Sequence, residues 1–266
     1  MEDFFATVWH KYLRRPYKLH VEYHSTSGPT IIFLHGIAAS SDKWSTLIPL
    51  VQDSYRCITI DLVGFGKSPK PQWAAYTMND HLRSIHKTIK SLGLHDNFIL
   101  VGHSLGSLLA TRYTRDHPRH VNRLLLLSSP IYPPLDSISS KVAKGRTALF
   151  LKIYKFLRSN PIMTPENVKR FSLILPIPKS IVRDPETWVP FMRTLERCIE
   201  QQSLLQDIIE IEVRIDMFYG KLDTVIVPFN IQQVSNIQDV TIHQVTANHD
   251  VGKRYSAEVA ELLLAT

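Results

Sequence analysis

Three short segments in the first half of the chain, at 30–34, 97–101 and 123–127, each hold four consecutive apolar residues. A strand that is apolar at every position is buried on both faces, as in a parallel sheet that is covered by helices. Helical patterns at 77–92 and 105–116 separate these segments, which is the spacing of βαβ units with right-handed crossovers. The sequence therefore predicts an α/β fold with a doubly wound, mostly parallel sheet.

Weaker patterns on both sides extend this alternation. Early in the chain they predict strands at 18–24 and 57–60 around a helix at 40–53. In the last quarter they predict a strand, a short helix, a second strand and a closing helix, at 213–219, after Pro228, at 240–245 and at 255–264.

The segment 130–212 breaks the alternation. It has no comparable strand run but carries helical patterns at 139–159 and 190–209, with prolines between them that require turns. We therefore expect one core made of residues 1–129 and 213–266, with 130–212 inserted as a helical cap, or lid, over the sheet.

The composition is that of a globular protein, with 44% hydrophobic and 21% charged residues. No run approaches the roughly 20 apolar residues that cross a bilayer. The start Met1-Glu2-Asp3 lacks the positive charge of a signal peptide. The chain has only two cysteines, Cys57 and Cys198, at no metal-ligand spacing, and this favours a cytoplasmic protein.

The formal net charge of +7 is concentrated in two basic segments, 1–20 and 136–160. Because the rest of the chain is balanced, nucleic acid is not expected as a partner. Both segments are also amphipathic, and an N-terminal amphipathic helix is expected within 1–17. Two interpretations stay open: the apolar faces pack on the protein, or the segments make weak contact with an anionic membrane surface. The oligomeric state is also left open.

The strongest motif is Gly102-His103-Ser104-Leu105-Gly106, which lies between a predicted strand and a predicted helix. Such a tight turn holds the serine in a strained conformation, and the two glycines avoid clashes with the neighbouring strand and helix. The serine hydroxyl then stands clear of the sheet, beside the positive end of the helix. The motif predicts Ser104 as a nucleophile.

A serine hydroxyl needs a base, which a third group must orient. His249 follows the last predicted strand and Asp223 follows the strand before it, so both lie at the carboxyl ends of strands, where parallel sheets place their sites. We predict His249 as the general base and Asp223 as its orienting acid, with Asp250 and Asp136 as alternative acids. His103 diverges from the serine at the turn and is a poor candidate for the base.

Acyl transfer also needs donors for the oxyanion. We predict the backbone N–H groups of Leu105 and Ile37 in this role. Ile37 belongs to the loop His35-Gly36-Ile37 that follows the first apolar strand, and Gly36 lets this loop approach the serine.

Together these motifs resemble the signature set of the α/β-hydrolase superfamily, and in particular its serine-nucleophile members with a helical cap, such as esterases and carbon–carbon bond hydrolases. The resemblance covers about residues 30–265 in the correct order. It rests on five motifs: His35-Gly36, Asp61-x-x-Gly64-x-Gly66-x-Ser68, the elbow Gly102–Gly106, Gly220-x-x-Asp223 and His249-Asp250. It implies a sheet of about eight strands, no metal and no organic cofactor.

Two positions differ from parts of that family. Ser104 separates the chain from dehalogenase- and epoxide-hydrolase-like members, which have aspartate there, and Asn248 stands where many members have glycine. We expect Asp61 to be structural and to tie down the loop that carries Gly64 and Gly66.

These residues predict a serine hydrolase, with a carboxylic ester as the first hypothesis and an acyl-enzyme on Ser104 as the intermediate. The same triad can cleave a carbon–carbon, thioester, amide or lactone bond, which the loops and the lid decide rather than the fold. A ligand-sensing or scaffold role is a third hypothesis, whose usual sign is a lost triad residue. The insertion predicts a largely apolar pocket for a small-molecule substrate. The motive is the apolar density of the segment, although each of these residues could equally pack within the subdomain itself: Phe150, Leu151, Phe156, Leu157, Phe171, Trp188 and Phe191.

Overall fold

A computed structural model describes residues 8–95, 97–159, 167, 181 and 184–265. Within these residues, strands β1 to β7 form one sheet in the order β1-β3-β2-β4-β5-β6-β7. Only the edge strand β1 runs antiparallel, against β3, and the other neighbours are parallel. The strands are Val21–Tyr23, Thr30–Leu34, Arg56–Ile60, Phe98–His103, Val121–Leu127, Arg214–Gly220 and Val240–Val245. The predicted doubly wound, mostly parallel sheet is confirmed, with seven strands where about eight were expected.

Helices connect these strands and cover both faces of the sheet. In chain order the α-helices are α1 (Ile48–Val51), α2 (Met78–Ser91), α3 (Leu105–Asp116), α4 (Lys141–Ser159), α5 (Trp188–Thr194), α6 (Leu204–Ile209), α7 (Pro228–Gln232) and α8 (Lys253–Leu264). Shorter 3-10 turns are Ser41–Trp44, Leu135–Ser137 and Pro185–Thr187, and π-helical turns are Val8–Tyr12 and Leu195–Glu200.

The central strands are buried on both sides, as their uninterrupted apolar runs predict. In β2, Ile32 and Leu34 pack in a core with α2 and α3, while Ile31 and Phe33 pack on the opposite face in a core with α8. The chain passes from β2 outward to β3 and then crosses back to β4. The order therefore reverses between β2 and β4, and such a switch point is where α/β sheets place their ligands.

Two expected helices are wrong in extent. The helix expected over 40–53 is a 3-10 turn at Ser41–Trp44 followed by the short α1. Pro49 explains the break, because it has no N–H to donate and its ring clashes with the carbonyl of the preceding turn.

The N-terminal helix expected within 1–17 is also shorter than predicted. In the described part of that segment, only Val8–Tyr12 is helical, as a π-helical turn. Arg14 then adopts a left-handed backbone, with φ of 50°, which ends the turn before Pro16. Phe4 and Phe5 lie outside the described residues.

The described part of 130–212 contains helices and no strand. The helix expected at 139–159 is α4, and the pattern at 190–209 is divided among α5, the π-helical turn Leu195–Glu200 and α6. Arg158 at the end of α4 holds this second part through Glu196, at 2.9 Å, and Glu200, at 3.4 Å. Within the residues that the structure describes, no helix is both long and apolar enough to cross a membrane.

Candidate active site

Ser104 stands at the turn from β4 into α3 with φ of 53° and ψ of −116°, a strained conformation for a residue with a side chain. The flanking glycines explain how the turn closes. A Cβ on Gly102 would lie 2.3 Å from the carbonyl oxygen of Gly106, and one on Gly106 would lie 2.1 Å from that of Leu34. Larger residues at either position would push α3 away from the sheet.

His249 and Asp223 come together in the loops that follow β7 and β6. The Nδ1 atom of His249 lies 2.8 Å from Oδ2 of Asp223, whose side chain is fully buried. The other carboxylate oxygen accepts hydrogen bonds from the N–H groups of Val225, at 2.9 Å, and Ile226, at 3.3 Å. These bonds fix the carboxylate, so it orients the imidazole with a proton on Nδ1 and leaves Nε2 to act as a base.

The two alternative acids have other surroundings. Asp250 forms an ion pair with Lys43, and this hydrogen bond holds the pKa of the Asp250 carboxyl below its ordinary value. Asp136 is fully exposed and lies 3.6 Å from Lys144. The structure thus brings Asp223 to His249, and neither Asp250 nor Asp136.

Ser104 and His249 line the same cavity. Ser104 is almost buried, and the side chain of His249 is 27% exposed. In the part of the chain that the structure describes, no hydrogen bond joins the two side chains. Such bonds are often long without substrate and tighten in the complex.

The two predicted oxyanion donors flank Ser104. Ile37 lines the cavity, and Leu105 is the first residue of α3. Among the described residues, neither backbone N–H donates a hydrogen bond to a protein acceptor. Gly36 permits this approach, because a Cβ there would lie 3.2 Å from Cβ of Ser104. Both amides are therefore free to stabilise negative charge that develops beside the serine.

His35 holds the loop that carries Ile37. It is fully buried, its Nδ1–H donates to the carbonyl of Gly36 at 2.7 Å, and its Nε2 accepts from the N–H of Leu62 at 2.9 Å. Burial lowers the pKa of this imidazole, so the ring is neutral and both nitrogens serve as structural contacts.

His103 has a position that the sequence analysis did not anticipate. It is buried, and its Nε2–H donates to the backbone carbonyl of His249 at 2.8 Å. Burial lowers its pKa well below the ordinary value, so the ring stays neutral. His103 therefore ties the nucleophile turn to the loop of the base. In the sequence, the only sign of a role for His103 is that it precedes Ser104, and this position suggested proton transfer rather than a contact with the loop of His249.

Asp61 is a structural residue, as expected. Its Oδ1 accepts from both the N–H and the hydroxyl of Ser41, at 2.7 and 2.8 Å, and its Oδ2 accepts from the N–H of Lys67 at 2.8 Å. Gly66 is required beside it, because a Cβ there would lie 2.2 Å from the carboxylate.

A cavity of about 520 Å³ opens above Ser104. One side is formed by the residues after β2, β6 and β7, and helical residues of 130–212 form an apolar wall on the other. The apolar wall consists of Phe150, Ile153, Tyr154, Leu157, Phe191, Leu195 and Ile199. Such a volume and lining suit a small molecule with an apolar part.

Of the apolar residues that motivated the predicted pocket, Phe150, Leu157 and Phe191 line the cavity. Trp188 and Leu151 instead pack in the main core, and Phe156 points outward with 47% exposure. Phe171 lies outside the described residues. Within α4, Phe150 and Phe156 could not be distinguished from the sequence, because apolar residues lie around most of the helix and the pattern does not indicate which face meets the cavity.

Comparisons with known proteins agree with this architecture. A family model for the alpha/beta hydrolase fold matches residues 29–151. The chain is 41% identical over 120 residues to a probable lysophospholipase, BODYGUARD 2 of Arabidopsis thaliana, which is 43% of this chain and 24% of that protein. It is 39% identical over 95 residues to a haloalkane dehalogenase of Mesorhizobium japonicum, which is 36% of this chain and 30% of the dehalogenase.

The chain spans about a quarter of the length of the curated lysophospholipase relatives that it matches. A solved esterase of Exiguobacterium antarcticum superposes with a TM-score of 0.70 over 93% of this chain and 94% of the esterase, at 22% identity. At that identity the likeness concerns the fold. Strand order, the turn at Ser104 and the family match over residues 29–151 together show an α/β-hydrolase fold.

Proposed function

We propose that this protein is a serine hydrolase that cleaves carboxylic esters with an apolar acyl chain. The observation that carries the proposal is the strained Ser104 at one wall of the cavity that also contains His249, with His249 bonded to buried Asp223. Relatives named as probable lysophospholipases support an ester as the substrate.

The proposed reaction proceeds through an acyl-enzyme. The Ser104 oxygen attacks the ester carbonyl while His249 Nε2 takes the hydroxyl proton, and the N–H groups of Ile37 and Leu105 stabilise the oxyanion. The intermediate then expels the alkoxide, which receives the proton from His249. Water, deprotonated by His249, attacks the acyl-enzyme, and collapse of the second intermediate releases the acid and restores the serine.

The identity of the nucleophile supports an acyl transfer. Ser104 stands where dehalogenase-like members have aspartate, and a serine oxygen forms an ester with an acyl group that a base-activated water can hydrolyse. Carbon–carbon, thioester, amide and lactone bonds also present an electrophilic carbonyl to the same residues. They are the alternatives that a substrate panel separates.

The apolar wall predicts how the enzyme selects its acyl chain. Ile153 of α4 lines the cavity, whereas Leu149, one turn earlier on the same helix, is 55% exposed. Ile153→Trp should fill part of the cavity and exclude long chains, while Leu149→Trp should add similar bulk on the outside and leave selectivity unchanged.

The test compares kcat/KM for p-nitrophenyl acetate, butyrate, octanoate and laurate, together with release of fatty acid from lysophosphatidylcholine. We expect activity that rises with chain length in the wild type, and a loss of at least tenfold for octanoate and laurate in Ile153→Trp, with acetate retained. Absence of ester cleavage, together with cleavage of another bond in the panel, would replace the ester by that alternative. A uniform loss across chain lengths would contradict the assignment of the acyl pocket.

We also propose that the cap makes weak contact with anionic membrane surfaces. The outward face of α4 exposes Val142 at 76%, Leu149 at 55% and Phe156 at 47%, with lysines beside them. The adjacent face of the same helix lines the cavity, so a lipid surface on the outer face would lie close to the proposed site for apolar esters. Each basic residue near such a surface contributes about 1 kcal/mol.

Sedimentation with vesicles of phosphatidylcholine and phosphatidylserine tests this contact at low and physiological salt. Replacing Lys152 and Lys155 by glutamate should abolish sedimentation. Replacing Lys90 and Lys253, which are exposed but lie outside the segment 130–212, by glutamate should have less effect. Absence of binding at low salt, or equal loss in both double variants, would refute the proposal.

A further inference from the structure

Three histidines meet at the amino ends of the central strands, at the end of the sheet opposite the candidate active site. His86 lies in the middle of α2, His117 follows the last residue of α3, and His120 comes directly before β5. One ligand nitrogen from each ring lies within 4.8 Å of the others. Because β5 begins at Val121 and ends near the nucleophile turn, this cluster is roughly 20 Å from Ser104.

The three rings lie side by side with their planes almost parallel. The His86 and His117 ring centroids are 4.3 Å apart, with 11° between the planes, and those of His117 and His120 are 5.1 Å apart, with 13°. The hydroxyl of Tyr113 lies behind them, 2.9 Å from Nδ1 of His120 and 3.5 Å from Nδ1 of His86. It gives two of the rings a contact on the side that faces the core.

The surroundings keep the imidazoles in the form that binds metals. Burial, and then the neighbouring rings, lower the pKa of both His86 and His117, so these two rings are neutral near pH 7. Asp116 is the acid beside His117, but Arg115 holds its carboxylate at 2.7 Å. Among the described residues, no carboxylate lies within ion-pair distance of the His86 or His117 ring.

We propose that His86, His117 and His120 form a binding site for a first-row transition ion, with Zn²⁺ as the best fit. Zinc takes imidazole nitrogens at about 2.0–2.1 Å in a tetrahedron, which places them about 3.3 Å apart. The nitrogens need to approach one another by at most about 1.5 Å, and because the ring planes are nearly parallel, the half-exposed rings also rotate so that their nitrogens converge on the ion. Water supplies the fourth ligand.

The consequence is a link between three segments rather than a catalytic role. A bound ion joins α2 to the connection between α3 and β5. Because folding brings the three ligands together, binding stabilises the native state through mass action.

The test uses the full chain, freed of metal with a chelator, and zinc alone as the probe. Isothermal titration should give one equivalent per chain with a Kd in the micromolar range, and excess zinc should raise the Tm by several degrees. His86→Ala and His117→Ala should each weaken the affinity at least tenfold. His95→Ala, which alters an exposed histidine between α2 and β4, should leave it unchanged.

Histidine side-chain NMR on the wild type keeps the test independent of variant folding. Zinc should shift the imidazole resonances of three rings, those lost in His86→Ala, His117→Ala and His120→Ala, and leave the other histidines in place. No binding below about 1 mM, shifts confined to other histidines, or equal affinities in the cluster variants and His95→Ala would overturn the proposal. Ester hydrolysis with and without chelator should be the same.

Discussion

Gly106→Ala should damage both stability and activity, although alanine is the better helix former. Gly106 is the second residue of α3, where a Cβ would lie 2.1 Å from the carbonyl oxygen of Leu34 and 2.7 Å from that of His35. Carbon and oxygen atoms approach to about 3.3 Å at the closest. The start of α3 and the end of β2 must therefore separate by about 1 Å, and since both contacts are backbone, no side chain can rotate away.

Overpacking of this kind destabilises by about 1–3 kcal/mol or more, against a gain of at most about 1 kcal/mol from helix propensity. We expect Gly106→Ala to lower the free energy of unfolding by about 2 kcal/mol or more. Gly145→Ala is the matched control, because Gly145 also lies inside a helix but a Cβ there meets nothing within 4 Å. It should stabilise the protein by about 0.5–1 kcal/mol.

Urea unfolding followed by tryptophan fluorescence measures the free energy of unfolding of both variants. The rate of ester hydrolysis shows whether the separation of α3 from β2 disturbs the site. A shift of about 1 Å in the loop of His35 and Ile37 should lower kcat by about 100-fold, since catalysis depends on geometry at that scale. If Gly106→Ala is as stable and as active as Gly145→Ala, the close packing of α3 on β2 is not what requires the glycine.

Two further variants test the site and the core. Asp223→Asn should lower kcat by about 10⁴-fold by favouring the wrong tautomer of His249, whereas Asp250→Asn should change kcat little. If kcat falls more in Asp250→Asn than in Asp223→Asn, the orienting acid is Asp250. His81 is fully buried against Thr194, and burial lowers its pKa to about 4, so the unfolded chain takes up a proton below about pH 6.5 that the folded chain excludes. The free energy of unfolding should therefore fall as the pH falls from 7 to 5, with about 2 kcal/mol of that loss absent in His81→Gln; equal losses in both proteins would contradict the assignment.

The sequence predicted the parts of the fold that depend on local patterns. Uninterrupted apolar runs located β2, β4 and β5, because burial on both faces of a parallel sheet leaves no polar position. The elbow was recognisable from its short motif between a strand and a helix, although only Gly102 is required by nearby backbone, whereas Gly106 is required by the distant carbonyl of Leu34. His249 and Asp223 were placed by their order after strands, and the structure puts their side chains in contact.

The remaining features depend on contacts between distant segments. His103 acquires its role from a carbonyl 146 residues away, and its neighbours in the sequence contain no sign of this contact. The inward face of α4 is set by what packs on it, so Phe156 and Phe150 could not be distinguished in advance. The break within 40–53, by contrast, has a local cause and could have been predicted from the sequence, because the expected helix contained Pro49.

Ser104 is the residue on which the account depends most directly. The decisive measurement is hydrolysis of p-nitrophenyl butyrate by the wild type and by Ser104→Ala, together with labelling by a fluorophosphonate and peptide mapping of the adduct. Ser104→Ala should lose about 10⁴–10⁶-fold in kcat while keeping its Tm, and the label should be found on Ser104 alone. Retention of most of the activity in Ser104→Ala, or a label on another residue, would contradict the proposed acyl-enzyme mechanism.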